Sequence, residues 1–156
     1  MTISNLQNDL PLFVLVSCLL SFISIFFVLK KQNNKTKLKL DLFEYRFDIY
    51  NSALKLIASI TIKGKLDLDD EVNALLLGIY QARWLLNNDI VHYLEELYDR
   101  AIDLQILDSL LKSSIKTESL EERNNNLHRQ EELKEWFSQQ YETLNKKFSP
   151  FLKLDS

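Results

Sequence analysis

The sequence predicts an all-α protein: one N-terminal transmembrane helix followed by a cytoplasmic antiparallel four-helix bundle. Three observations carry that prediction. Leu10 to Leu29 is a run of twenty residues without a charge. Two Gly and two Pro in 156 residues provide few turns, which favours long helices. After the apolar run, hydrophobic residues recur at three- and four-residue spacing, and no strand pattern competes with them.

The apolar run is the strongest signal. Fifteen of its residues are Leu, Ile, Val or Phe, and the others are Pro11, Ser17, Cys18, Ser21 and Ser24. At 1.5 Å per residue it reaches about 30 Å, the thickness of a bilayer's hydrocarbon core. A helix in the core of a soluble domain normally keeps one polar stripe toward water, and this segment has only hydroxyls and a thiol. A cleaved signal peptide would need a basic start, whereas Met1 to Asp9 carries no positive side chain.

Charge gives the orientation. Lys30, Lys31, Lys35, Lys37 and Lys39 follow the run, and Asp9 is the only charged side chain before it. The positive-inside rule then places residues 1–9 outside and the C-terminal domain in the cytoplasm of a bacterial inner-membrane protein. The division is a short extracytoplasmic N-terminus (1–9), a span (10–29), a basic juxtamembrane linker (30–39) and a helical domain (40–156). The five lysines are candidate contacts for anionic lipid head groups, at about 1 kcal/mol each near the surface. Setting aside these lysines and Asp9 leaves 14 bases against 21 acids, so the domain is acidic. Within the span, Ser17, Ser21 and Ser24 recur at i, i+4 and i+7. Such a small-residue stripe suits close helix approach and self-association, and equally suits hydroxyls bonded to their own backbone.

Four helices follow. Lys37 to Ile62 shows Phe43, Phe47, Tyr50, Leu54 and Ile57 on one stripe and ends before Gly64. Acids Asp67, Asp69, Asp70 and Glu71 open a second helix that runs to about Leu86, with Val72, Leu75, Leu76, Ile79 and then Arg83-Trp84 in sequence. Asn87-Asn88-Asp89 caps a third, from Ile90 to about Lys112, whose stripe is Leu94, Leu97, Tyr98, Ala101, Leu104 and Leu107 or Asp108. Ser113 to Glu118 is a polar connection. Ser119 and Glu122 have capping-box spacing, and Leu127, Leu133, Trp136, Phe137, Leu144 and Phe148 carry the fourth helix to Ser149-Pro150. Short connections make neighbours antiparallel.

Chemistry is sparse. One Cys and two His cannot assemble a metal cluster, no disulfide framework is possible within the chain, and isolated Gly64 and Gly78 make no phosphate-cradling loop. No cofactor is implied. Glu95, Asp99 and Asp103 at i, i+4, i+8 read as a solvated face, with Glu96 placed to pair with Arg100. His92 reads as a surface histidine.

One constellation remains: Arg123-Asn124-Asn125-Asn126-Leu127-His128. It resembles the R-x(4-6)-H motif of HEPN domains, all-α bundles that place this motif at the start of the last long helix. That resemblance implies a metal-independent ribonuclease. In it Arg123 stabilises charge on the RNA phosphate, Asn124 holds the polar position and His128 acts as acid or base, with two copies meeting at a dimer interface. On an ideal continuous helix Arg123 and His128 are about 140° apart, so they converge only if the Asn-rich stretch is irregular.

A broader resemblance covers about Asp41 to Leu154. The segments Phe43 to Tyr50, Asn88 to Tyr98, Trp136 to Gln140 and Phe148 to Leu152 are similar to a set of uncharacterised bacterial single-span membrane proteins with a helical cytoplasmic domain. The span and the R-x4-H spacing also resemble the HEPN-like membrane accessory proteins of RNA-targeting CRISPR systems, a family implicated in antiviral defence through membrane oligomers. The sequence therefore points first to a membrane protein whose bundle is a protein-interaction or self-assembly module, partnered by lipids and by itself or another protein. The alternative is an HEPN-like antiviral effector, RNA-cleaving or pore-forming, for which nucleic acid would be the partner.

Overall fold

The computed structural model describes residues 30, 36–62, 68–113 and 119–153, and every regular element in them is α-helical. The Leu10 to Leu29 run with Ser17, Ser21 and Ser24, and also Lys31 and Lys35, lie outside the described residues. Among the described residues no helix is long and apolar enough to cross a membrane. The chain divides into two units, Met1–Asp41 and Leu42–Ser156. In the first, residues 36–41 are helical, and Lys30, Lys37 and Lys39 are exposed.

Among the described residues the larger unit holds four helices: α1 (residues 42–61), α2 (Asp69–Leu85), α3 (Asn88–Ser113) and α4 (Leu120–Phe148). Side-chain bonds fix their register. Ser59 donates to Glu71 at 2.8 Å, and Ser52 lies against Gly78, so α1 and α2 run antiparallel. Arg83 meets Glu95 at 2.9 Å at one end of the next pair and Gln105 meets Asp69 at 2.9 Å at the other. Between α3 and α4, Arg123 reaches Leu111, and Tyr93 donates to the carbonyl of Gln140. Tyr50 Oη to Asn145 at 2.6 Å and Thr61 to Tyr141 at 2.9 Å close α1 onto α4. This is the antiparallel up-down bundle that the short connections predict.

Helix starts follow local chemistry. Ser119 accepts from the backbone N–H of Glu122, and the Glu122 carboxylate accepts from that of Ser119, a complete capping box. Asn87 Oδ1 accepts from the N–H of Ile90 at 3.1 Å and so caps α3. The start of α2 has its expected acids Asp69, Asp70 and Glu71 in the first turn, while Asp67 lies outside the described residues. Leu68 is its N-cap, without a side-chain bond, and the acids of its first turn act through the helix dipole while Asp69 and Glu71 bond to α3 and α1.

The core holds Ile49, Ala53, Leu56, Ile57 and Ile60 from α1, Val72, Leu75, Ile79 and Ala82 from α2, Leu94, Leu97, Ala101 and Leu104 from α3, and Phe137, Leu144 and Phe148 from α4. Burying a Leu, Ile or Phe side chain contributes roughly 1.5–3 kcal/mol. Two expectations need correction. The core stripe of α1 is rotated from the one expected: Phe43, Tyr50 and Leu54 are only partly buried and Phe47 is exposed. A Cβ built on Gly78 would stand 2.8 Å from Ser52 Oγ, so small residues let α1 and α2 approach closely on this face while the bulky rings lie toward the rim. Trp84, expected after Ile79 in the α2 pattern, is instead 89% exposed, and Ala82 takes the interior position.

Candidate functional site

The motif-bearing stretch begins at the capping box and continues without a break, since α4 is α-helical from Leu120 to Phe148 through all three asparagines. The irregularity that would bring Arg123 and His128 together is not there. Arg123 turns toward α3, where its Nη1 donates to the main-chain carbonyl of Leu111 at 3.3 Å. That carbonyl belongs to the last turn of α3 and has no intrahelical partner of its own. His128 points elsewhere: its side chain is 73% exposed, with Nε2 3.4 Å from Glu132 Oε1. Asn124 is exposed as well. Among the described residues Arg123 and His128 thus have different partners, the Leu111 carbonyl and Glu132.

One turn further along α4, Arg129, Glu132 and Leu133 line an open cleft of about 160 Å³ with Arg100 and Asp103 of α3. Its charges balance. Arg100 is already engaged, donating to Glu96 at 2.9 Å and lying 4.1 Å above the Trp136 ring. The Glu96–Arg100 pair is the one expected from its i,i+4 spacing. On the adjacent face Glu95 bonds Arg83 and His92, and the Arg83 hydrogen bond, the largest cause, holds its carboxyl below the usual range. Asp99 and Asp103 are exposed beside it, and His92 is a surface residue. Among the described residues no group of three His, Cys, Asp or Glu side chains could hold a metal ion.

The feature that sequence reasoning missed is apolar and lies where two helices outrun the other two. The Gln105–Asp69 bond marks the N-terminal end of α2, yet α3 goes on through residues 106–113, about 12 Å further. The first three turns of α4 return alongside, with Arg123 fastened at Leu111. Residues 120–132 add nothing to the main core cluster, which α4 joins from Leu133 onward. This protruding hairpin buries Leu107 and Leu111 but leaves Ile106, Leu110, Leu120 and Leu127 exposed. Leu127, expected on the core stripe of α4, is thus a surface residue. Ile102, Ile106 and Leu110 line one side of an open groove of about 500 Å³, with Gln105 and Asp69 at its polar edge. A signal was present in the sequence, because residues 104–111 are apolar on two faces of the helix, more than one core can cover. No protein-family model, curated protein or solved structure matches this chain.

Proposed function

We propose that the chain is a bacterial inner-membrane protein, anchored by the Leu10 to Leu29 span with its N-terminus outside, whose cytoplasmic helical bundle is a protein-interaction or self-assembly module. The observation that carries the reading is the protruding α3–α4 hairpin. A two-helix tip cannot bury the outer faces of its own helices, and Ile106, Leu110, Leu120 and Leu127 give it a surface of the kind that a partner helix or a second copy covers. The chain enters the larger unit at residue 42, beside the C-terminal end of α4, so the tip is at the opposite end. Arg123 supports the same reading, since its guanidinium fastens the hairpin.

The test is cross-linking and affinity capture from membranes of cells expressing the full chain, compared with an Ile106→Glu, Leu110→Glu variant. Loss of the cross-linked oligomer or captured protein at unchanged helical content is expected, and unchanged capture would overturn the reading. A reporter fused after Ser156 is expected to be active only in its cytoplasm-dependent form. Replacing Ser17, Ser21 and Ser24 with Leu separates any contribution of the span from that of the hairpin.

A further inference from the structure

We infer that the C-terminal half of α2 is a lipid-facing surface, with Leu77, Tyr80 and Trp84 resting in the head-group region of the bilayer; the inference rests on the single-span reading above. α2 is apolar on two opposite sides. Val72, Leu75, Ile79 and Ala82 face the core, while Leu77 is 61%, Tyr80 55% and Trp84 89% exposed. The three recur at i, i+3 and i+7 and so form one line along the helix. Followed toward the N-terminus, the same line turns polar at Asn73 and Asp70, both exposed.

Position selects the occupant. Gly78 lies beside Ser52 of α1, and α1 runs from there back to residue 42, so the apolar half of α2 is at the end of the bundle where the chain enters. Tyr45, two turns before Ser52 on α1, is exposed at that end too. Residues 30–41 separate the apolar run from this unit and, with 36–41 helical, reach at most about 30 Å. A short tether raises effective concentration, so a weak surface affinity suffices.

Size and charge agree with lipid rather than protein. Aromatic side chains bury about 150–250 Å² each, so this partly exposed triad offers on the order of 400 Å², half of the roughly 800 Å² per partner in a stable protein interface. Tyr and Trp are the side chains that favour the membrane–water boundary, an apolar body with a polar edge. Arg83, its guanidinium 5.5 Å from the centre of the Tyr80 ring, borders the triad with a stem long enough to keep its charge in water. The entry end carries Arg83, Lys146 and Lys147 with Glu44, Asp48 and Asp89, an even balance, whereas the far end sets Asp69, Asp70, Glu71, Glu121 and Glu122 beside only Lys112 and Arg123 among the described residues. An anionic leaflet repels the second and tolerates the first.

The full chain, carrying Trp136→Phe so that Trp84 alone reports, is reconstituted into phosphatidylcholine–phosphatidylglycerol vesicles and floated. Trp84 emission is expected to move to shorter wavelength, to be quenched by phosphatidylcholine brominated on its acyl chains and to resist aqueous acrylamide. Tyr80→Glu should restore quenching by acrylamide. In the reciprocal Trp84→Phe chain, Trp136 should be insensitive to brominated lipid, and circular dichroism of both variants establishes that they are folded. Three outcomes overturn the inference. A chain that floats and resists alkaline extraction while Trp84 stays open to acrylamide removes the lipid contact but keeps the span. Shielding from both quenchers means that protein covers the stripe. A chain that does not float removes the span and the contact together.

Discussion

The Arg123 guanidinium donates to the carbonyl of Leu111, tying the start of α4 to the end of α3. The bond satisfies one of the carbonyls that every helix leaves open at its C-terminus, and it sets a positive charge at the negative pole of the α3 dipole. A residue whose spacing to His128 suggests chemistry thus has a mechanical task.

Arg123→Ala should therefore destabilise the larger unit by about 1–2 kcal/mol, the usual worth of a partly buried bond from a charged donor. His128→Ala should stay within about 0.5 kcal/mol of wild type, since its side chain is 73% exposed. Denaturant melts of the full chain in detergent check both. A phenotype seen with Arg123→Ala but absent in Arg123→Lys would follow the bond and not the catalytic motif.

Gly78 gives a prediction with a sign change. A Cβ there would stand 2.8 Å from Ser52 Oγ, which is itself tied to the carbonyl of Ile49 at 2.7 Å, while the next neighbours are at 3.8 Å. Gly78→Ala alone gains about 1 kcal/mol of helix propensity and loses it to the clash. With Ser52→Ala the clash disappears, so the double variant should exceed Ser52→Ala by about 1 kcal/mol in thermal or denaturant unfolding. Additive behaviour of the two substitutions would show that the helices do not pack at this point.

Burial, and next the nearby Glu96 carboxylate, push the Tyr93 phenol well above its ordinary value. The folded state therefore holds the proton more tightly than the unfolded one. The stability this provides is complete below the ordinary tyrosine pKa of about 10 and falls as pH rises beyond it, because only the unfolded chain then ionises. Alkaline melts of wild type should steepen above that pH, and Tyr93→Phe should flatten the profile while leaving neutral stability nearly unchanged.

The capping box behaves in the opposite sense. Hydrogen bonds from the Ser119 backbone and hydroxyl hold the Glu122 carboxyl below the usual range. Its contribution is present above the ordinary carboxylate pKa and is lost as pH falls through the lower folded value. The protection of first-turn amides of α4, relative to their intrinsic exchange at each pH, should fall in acid before that of the rest of the helix, and Glu122→Gln should remove most of that pH dependence.

What the sequence discloses and what it conceals divide along a physical line. Helix limits were readable because caps are local: Ser119 with Glu122 and Asn87 with Ile90 are bonds between residues three apart. Which face of a helix turns inward was less so, since that depends on the neighbour. Phe43, Phe47 and Tyr50 look like a core stripe, yet they stack on one another at 5.8 and 6.0 Å along the rim, while Ser52 and Gly78 let the helices approach closely one face away. The role of Arg123 was illegible for a further reason, as its partner is a main-chain carbonyl that any residue at position 111 would supply.

Trp136 and Phe137 are sequence neighbours whose rings meet edge to face, 5.0 Å apart, yet their energetic weight should differ. Phe137 is completely buried in the core, so Phe137→Ala leaves a cavity and should cost about 3–5 kcal/mol. Trp136 is partly buried and carries Arg100 4.1 Å above its ring. Its truncation loses a cation–π contact and some apolar cover but opens to solvent instead of leaving a void, which predicts about 1–2 kcal/mol. A double-mutant cycle between Arg100→Ala and Trp136→Ala isolates the contact, with a coupling of about 0.5–1 kcal/mol expected for a pair at a partly exposed site. Equal losses for Trp136→Ala and Phe137→Ala would place the indole in the core. A coupling of zero would leave Arg100 only its bond to Glu96, and the difference between the two rings would then rest on burial alone.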